Sequence, residues 1–453
     1  MTAPRRPLRL LLATFAVAAL LLLGWLWLRP TAEPSVDGSV AVAADLDDAT
    51  PLSDDPAAQR IAVDLRRLAD DSMEGRETGS RGHDLAAAYV AAQFADAGLE
   101  PAGDDGGFFQ TVPLLRAVPQ AEGARLAVTR GGRTIELKLG EQFLPWANFN
   151  AGTHRVEAPA VFVGHAIHAP DIGHDDFAGL ELAGRIAVLL PGAPQAFDDQ
   201  HRAYHSALQE KLAALAARGA VGAVLVSTPE SEARLPWARQ RASWQNAAMR
   251  LRDDDGGPVD GFPMLQAVAA VGVAAADLVF ADGQRPAAQL FDAARAGTLR
   301  GFELPGTLLL AGRTTIGEMA SRNVVARLPG TDDLAGEQVV HTAHLDHVGM
   351  PAGGEGDRIH NGALDNALGV AIMLETARTL ATTPTRRSQL FVALTGEEQG
   401  LLGAQWFVTR ADDAGTPVAN INIDMPVLLA PSTDIVAIGR EHSSLGDAVV
   451  AVA

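Results

Sequence analysis

Cysteine is absent from the 453-residue chain. That excludes a disulfide framework, a thiolate nucleophile, cysteine-ligated zinc and a lipidated N-terminal cysteine. Basic residues are scarce, with 36 Lys and Arg against 55 Asp and Glu and a formal net charge of -19. They are also scattered, so no surface is built to neutralise a phosphate backbone and no nucleic-acid partner is expected. Repeats at solenoid periods are missing, as is any low-complexity tract beyond one N-terminal stretch. What the chain does have is 47% apolar residues, enough at this length for two domains and a targeting element.

The targeting element is at the start. Arg5, Arg6 and Arg9 precede an apolar run over residues 10–28, broken only by Thr14 and Gly24 and carrying Trp25 and Trp27 near its far end. At about 1.5 Å per residue the run is roughly 28 Å long, enough to cross a hydrocarbon core. Residues 1–30 are therefore expected to form a single-pass membrane anchor or signal. Basic residues before the run and an acidic body after it put the body in the periplasm or extracellular space. The alternative is secretion after signal cleavage, against which stand the length of the run and the Arg29-Pro30 that follows it. Residues 31–56, rich in Pro, Ala, Asp and Ser without apolar periodicity, read as a flexible tether.

Three textures follow. Over 57–149, Ile61, Leu65 and Leu68, then Leu85, Tyr89, Ala92 and Phe94, recur at helical spacing, and Gly98 supplies a stop. The stretch Met73 to Ser80 between them reads as an exposed loop. Over 150–302 short β-rich runs, 160–163 and 186–190, alternate with one helical stretch, 206–217, followed by a buried strand at 220–226. From 303 to 453 the pattern becomes αβ, with strands at 339–342, 389–394 and 419–423 and helices at 366–380 and 400–409. The fold class is α/β, a mostly parallel sheet sandwiched by helices with a β-rich insert. Functional groups in such sheets gather at the strand C-terminal ends.

Residues with ligand chemistry stand at those ends. One strand runs into Ala343-His344-Leu345-Asp346-His347. His344 offers an imidazole, and Asp346 is placed to hold the ring through its other nitrogen or to orient the metal surroundings. Asn361-Gly362-Ala363-Leu364-Asp365-Asn366 sets a carboxylate before a helix, placed either to bridge two cations or to cap that helix. Thr395-Gly396-Glu397-Glu398-Gln399-Gly400 holds adjacent acids. In extended backbone these point opposite ways, one toward a metal and one toward the water it deprotonates. Asn422-Ile423-Asp424-Met425 closes the set. Each piece alone has a structural reading, as a cap, a solvated turn or a hydrogen-bonded core histidine, but successive strand ends carrying such groups point to one site.

Taken together these motifs resemble the M28 family of co-catalytic zinc peptidases, in the branch with a protease-associated insert. The resemblance extends to Met73-Glu74-Gly75-Arg76, Gly98-Leu99-Glu100-Pro101, Phe109-Gln110-Thr111-Val112-Pro113, Asn323-Val324-Val325-Ala326 and Leu328-Pro329-Gly330. The 150–302 module resembles the protease-associated domain through Gly184-Arg185-Ile186-Ala187-Val188-Leu189 and Ala220-Val221-Gly222-Ala223. The resemblance implies a zinc-exopeptidase-like fold and two Zn2+ per intact chain. It also implies His344 and Asp424 on one zinc, Asp365 bridging, Glu398 on the other, Glu397 as general base and Asp346 positioning the site. The implied activity is removal of N-terminal residues from peptides by a metal-activated bridging water. The alternatives are a non-catalytic peptidase-like binding or scaffold protein and a single-zinc cyclising relative.

The chain departs from the family pattern at Leu364 and Leu368, and at Pro426, which removes a backbone donor beside Asp424. Only 29 residues follow Asp424. The resemblance puts a last zinc-binding histidine further downstream, and His442, in Gly439-Arg440-Glu441-His442, does not match that motif. A C-terminally truncated chain lacking its fifth ligand is the expectation. His347 is expected to support the metal surroundings without binding; His201 and His205, four apart but with no acid partner of the H-E-x-x-H kind, are not expected to bind metal, nor are His165, His168, His174, His341 and His360. No pattern in the sequence bears on oligomeric state.

Overall fold

The computed structural model describes residues 54–280, 285–350, 356–410, 415–426, 437–439 and 443–452. The apolar run 10–28, the tether as far as residue 53, and His442 lie outside the described residues. Among the described residues no helix is long and apolar enough to cross a membrane.

The two N-terminal helices form where their apolar spacing predicts, and each begins at a side-chain cap. Helix α1 (Pro56–Leu68) starts behind Asp55, whose carboxylate accepts the Ala57 N–H at 2.9 Å. Helix α2 (Arg81–Asp96) starts behind Ser80, whose hydroxyl accepts the His83 N–H at 3.2 Å, and the chain turns away at Gly98, φ +81°. Between them the structure corrects one expectation. The stretch after Met73 is not an exposed loop: Met73, Arg76 and Thr78 are all buried. Gly75, at φ +66°, lies so close to the 349 and 360 backbone that a Cβ there would meet the Gly349 and His360 carbonyl oxygens at 2.6 Å. That approach lets Gly349 N–H donate to Gly75 O at 3.0 Å and His347 N–H donate to Arg76 O at 3.1 Å. Glycine here serves close backbone approach as well as a turn.

The strands, apart from the short pair His168–Ala169 and His174–Asp175, build one 13-stranded sheet, with helices between them. In chain order they include β1 (Phe109–Arg130), β2 (Thr153–Phe162), β3 (Ile186–Leu189), α3 (Leu208–Ala217), β4 (Gly222–Val226), β5 (Ala267–Val271) and β6 (Phe302–Leu328). Then come β7 (Glu337–His344), α4 (Leu368–Ala381), β8 (Ser388–Leu394), α5 (Leu402–Thr409) and β9 (Thr416–Asn422). Across the sheet the order is β9, β7, β8, β6, β2, β3, β4, β5, closed by Phe143–Pro145. Strand β7 is parallel to β8 and β9, and β2 to β5 form a second parallel run. The long strand β6 is antiparallel to β8 at one end and to β2 at the other, and pairs with β1 along most of its length. The insert is richer in helix than expected. Asp199–Ser206 and α3 are separate helices because Ala207 takes an extended ψ of 129°, and Pro229–Arg234, Trp237–Ser243 and Ala287–Arg295 add more.

Every residue of β8, reading SQLFVAL, is buried, as expected of a strand covered on both faces. On one face α1, α2 and α4 pack Leu68, Phe94, Val370 and Leu374 against Phe391 and Ala393, with the Phe94 and Phe391 rings 5.9 Å apart. On the other, Ala404 and Phe407 of α5 lie on Val325, Val340 and Val392. The insert has its own apolar cluster around Val161, Leu189 and Leu215, and a second, around Phe162, Val188 and Phe280, that it shares with Leu126 and Val128 of β1 and Leu308 and Leu310 of β6. Because β7, β8 and β9 are parallel, their C-terminal ends open on one edge, and that edge carries the ligand-type residues.

Candidate metal centre

Strand β7 ends at His344, which is nearly inaccessible and has its ring fixed from behind. Its Nδ1 lies 3.1 Å from the backbone carbonyl of Asp346 and 3.9 Å from that residue's carboxylate. A carbonyl oxygen only accepts, so Nδ1 carries the proton and Nε2 is left with its lone pair facing outward. The ring is thus oriented by the Asp346 main chain more closely than by its side chain. In front of Nε2 stand Asp365 Oδ1 at 3.1 Å and Asp424 Oδ1 at 3.4 Å.

The Asp346 carboxylate, fully buried, ties three chain segments together. It accepts the Thr78 hydroxyl at 2.9 Å, the Glu397 N–H at 3.1 Å and the Glu398 N–H at 3.3 Å. Burial pushes its pKa up, against the pull of His344, the two N–H groups and Thr78. The two glutamates are not in extended backbone: past Gly396, at φ +67°, the chain turns, with Gly400 N–H on Glu397 O at 2.8 Å. Their side chains part because the turn, rather than a strand's alternation, aims them. Glu398 Oε1 lies 2.7 Å from His347 Nδ1, and that bond holds its carboxyl below the usual range. Burial pushes Glu397 up, opposed by His344 and reinforced by Asp346, Glu398 and Asp424.

Asp365 lies in an irregular turn after Gly362 and does not cap α4. The neighbouring Asn366, fully buried, takes the local bonds: its Oδ1 accepts from Gly369 N at 3.1 Å and Met425 N at 3.3 Å, and its Nδ2 donates to Ile423 O at 2.8 Å. Asn366 therefore frees Asp365 and clamps the peptides on either side of Asp424. Sequence reasoning missed this role; the Asp-Asn pair was its only trace. Arg76 was missed as well. Its guanidinium, fully buried, donates to the carbonyls of Leu345 at 2.9 Å, Asn361 at 2.7 Å, Gly362 at 2.8 Å and Leu68 at 2.5 Å, so one side chain joins both loops that carry His344 and Asp365. Burial lowers its pKa to about 10, a fall that Asp346 and Asp365 oppose.

Two groups of donor atoms result, each with all atoms within 4.8 Å of one another: His344, Asp365 and Asp424 in one, His347, Asp365 and Glu398 in the other. Asp365 belongs to both. One imidazole with two carboxylates is a donor set that suits zinc, so the residues fit the cation that the motifs imply. The structure brings together His344, Asp346, Asp365, Glu397, Glu398 and Asp424, and adds His347. His201 and His205 stack at 6.3 Å in the insert, and His201 turns to Asp198 at 2.6 Å. Beside the centre a cleft of ≈ 750 Å³ is lined by His344, Leu394, Glu397, Phe407, Val418 and Asp424.

Comparison with known proteins bears on this edge. Residues 323–453 match the family model described as Peptidase family M28, and this matched segment carries every ligand-type residue described above. A probable zinc metalloprotease of Pyrenophora teres f. teres (strain 0-1) is 38% identical over 103 residues, 22% of each chain. Aminopeptidase YwaD of Bacillus subtilis (strain 168) is 31% identical over 87 residues, 19% of this chain and 17% of its own. The chain spans about a quarter or less of the length of the curated relatives it matches. Among solved structures, an aminopeptidase from Aneurinibacillus sp. strain AM-1 aligns with a TM-score of 0.45 at 18% identity, covering 81% of this chain and 70% of that one.

Proposed function

We propose that the chain is a zinc-dependent aminopeptidase that hydrolyses N-terminal residues from peptides. The observation that carries this reading is the single carboxylate, Asp365, shared by two donor groups 4.8 Å or less across, with Glu397 beside them and outside both. His344, Asp365 and Asp424 would hold one zinc; Asp365 and Glu398 would hold the other. When bound, the pair supplies Lewis acidity for the scissile carbonyl and for the attacking water. The rest falls to the chain itself. Glu397, its pKa raised by burial, accepts the proton of that water and returns it to the departing amine nitrogen. Asp346 fixes the backbone of Glu397 and Glu398 through their N–H groups, so base and ligand keep a constant separation. The cleft beside the centre provides room for the residue being removed.

The same reading makes the β-rich insert around 150–302 a protease-associated module and the 10–28 run a membrane anchor that holds the body outside the cytoplasm. Support for the first is the apolar cluster around Val161, Leu189 and Leu215, which lies wholly within the insert, and for the second the basic-then-apolar order at the start of the sequence. The test of activity is metal removal from the full chain followed by zinc add-back, with release of an amino-terminal leucine chromophore as readout. Zinc-dependent turnover with two equivalents bound is the expected result. Zero equivalents and no turnover would favour a scaffold, and a single equivalent the cyclising relative.

A further inference from the structure

We propose that the aromatic-walled groove beside Arg250 is a binding site for a free apolar α-amino acid, with Arg250 taking its carboxylate and Asp260 its ammonium group. Two adjoining cavities, of ≈ 70 and ≈ 260 Å³, share a wall made by Trp146, Phe149 and Arg250. Asp260, exposed, stands at the smaller one, and Trp244 lines the larger. Their size is at the lower end of ligand pockets, which suits a small molecule. They share no lining residue with the cleft at the metal centre, so the inference goes beyond the peptidase reading and does not rest on it.

Local structure aims these groups. In the strand Ala248–Leu251 side chains alternate: Met249 and Leu251 are buried in a cluster with Leu402 of α5, so Arg250 between them points the other way, into the groove. Its guanidinium lies over the Phe149 ring, 5.3 Å from the centroid. Among the described residues its one hydrogen bond runs from Nη1 to the Met249 carbonyl at 2.9 Å, which leaves Nη2 and Nε for a carboxylate. Burial lowers its pKa, and Asp260 opposes that fall without forming an ion pair, so two unlike charges line one cavity and do not meet. The aromatic side is held by the backbone. Trp146 N–H donates to Val268 O at 3.0 Å, and Asn148 donates from Nδ2 to Gln266 O at 2.7 Å while its Oδ1 accepts the Asn150 N–H at 2.8 Å. Gly261 lets the Asp260 turn pack closely: a Cβ there would meet Pro258 at 2.6 Å and Asn150 Oδ1 at 3.1 Å. A free α-amino acid carries both charges on one carbon, beside a side chain that the Trp and Phe rings are suited to cover. A peptide terminus carries only one of those charges.

The test is calorimetric titration of the full chain with L-phenylalanine, N-acetyl-L-phenylalanine and L-phenylalanine amide, with retention of fold in each variant checked by circular dichroism. The expected result is saturable binding of L-phenylalanine, with each singly charged derivative about 10-fold weaker or more. Arg250→Met weakens L-phenylalanine by about 10-fold or more, the range of a lost hydrogen bond to a charged group, whereas His344→Ala, which alters the metal centre, binds it as the parent does. Asp260→Asn weakens L-phenylalanine and leaves N-acetyl-L-phenylalanine unchanged; on its exposed turn it decides alone should Arg250→Met fail to fold. No saturable binding by the parent, binding that survives Arg250→Met, or binding lost in His344→Ala overturns the site. Equal affinity for either derivative, or equal affinity of Asp260→Asn and parent for L-phenylalanine, overturns recognition of both charges. Zinc-dependent turnover is read in a separate assay, so a failure of the peptidase reading leaves each of these results as it stands.

Discussion

The two halves of the sheet use buried charge in opposite ways. In the insert, charged groups serve the backbone. Lys211, 2% exposed, donates to the carbonyls of His165 at 2.6 Å and Gly192 at 2.7 Å, and Asp176 accepts from the His165 and Ile167 N–H groups at 3.0 and 3.1 Å. Lys211 Nζ and Asp176 Oδ2 are thus spent on main chain that loops off the parallel strands. At the edge formed by β7, β8 and β9 the main chain and one buried carboxylate serve the functional groups. Asp346 O fixes the ring of His344, Arg76 and Asn366 take up the loop carbonyls, and the Nε2 and carboxylate atoms are left facing one another. Parallel strands and covering helices are common to both halves, so architecture alone does not make a site. The difference lies in which polar atoms are left unused by the fold.

Four substitutions probe that difference. The largest effect is expected at the edge itself. Glu397→Gln lowers kcat by about 10³-fold, within the range of a lost general base, and leaves zinc stoichiometry unchanged; a titration alongside the assay separates the two. An equal loss of zinc would make Glu397 a ligand instead.

Next comes the insert. Burial lowers the Lys211 pKa to about 7, with Asp176 opposing, so between that value and about 10.5 the unfolded chain binds more protons than the folded one. Stability therefore rises with pH across that window, and the penalty is largest below it. At about 1.4 kcal/mol per pKa unit the rise is on the order of 5 kcal/mol. Lys211→Met flattens that part of the profile in denaturant unfolding followed from pH 7 to 10.5, with turnover and zinc binding unchanged. Loss of turnover would break the contrast between the halves.

Arg76→Met leaves buried carbonyls of both ligand-bearing loops without a donor. A cost of about 3 kcal/mol follows from the unpaired acceptors, together with weaker binding at both cation sites. Denaturant midpoints and zinc titrations measure the two consequences. The smallest effect is expected for Asn366→Ala, about 1 kcal/mol, with roughly tenfold weaker zinc at the His344, Asp365 and Asp424 group only. An equal loss at both sites would show that Asn366 holds Asp365 as well as Asp424.

Much of the fold was legible because buried strands and amphipathic helices announce themselves by composition and period. Strands β7, β8 and β9 and helices α1, α2 and α4 lie within a few residues of their expected ranges. The long ribbon of β1 and β6 was not legible. Pro113, Pro119, Gly123, Pro305 and Gly312 read as breaks in a linear pattern, yet the strands run through them, with irregular pairing between Ala311 and Arg313 and between Leu304 and Thr307. Pairing across the sheet overrode the local signal. The burial of Arg76 was hidden for a related reason: a guanidinium among turn residues looks solvated until carbonyls from residues 68, 345, 361 and 362 converge on it.

The sequence by itself determined which residue types stand at the ends of the parallel strands, because a strand buried on both faces must be apolar and any ligand has to wait for the turn that follows it. From that came His344, Asp365, Glu397, Glu398 and Asp424 as one edge. Only the tertiary structure decided how those atoms face each other: that Asp365 is common to two groups, that His347 joins one of them, and that Asp346 serves two N–H groups and a distant threonine. Such relations depend on segments as much as 268 residues apart, Thr78 and Asp346 among them, packing to 2.9 Å, and no local pattern in the chain encodes a distance of that kind.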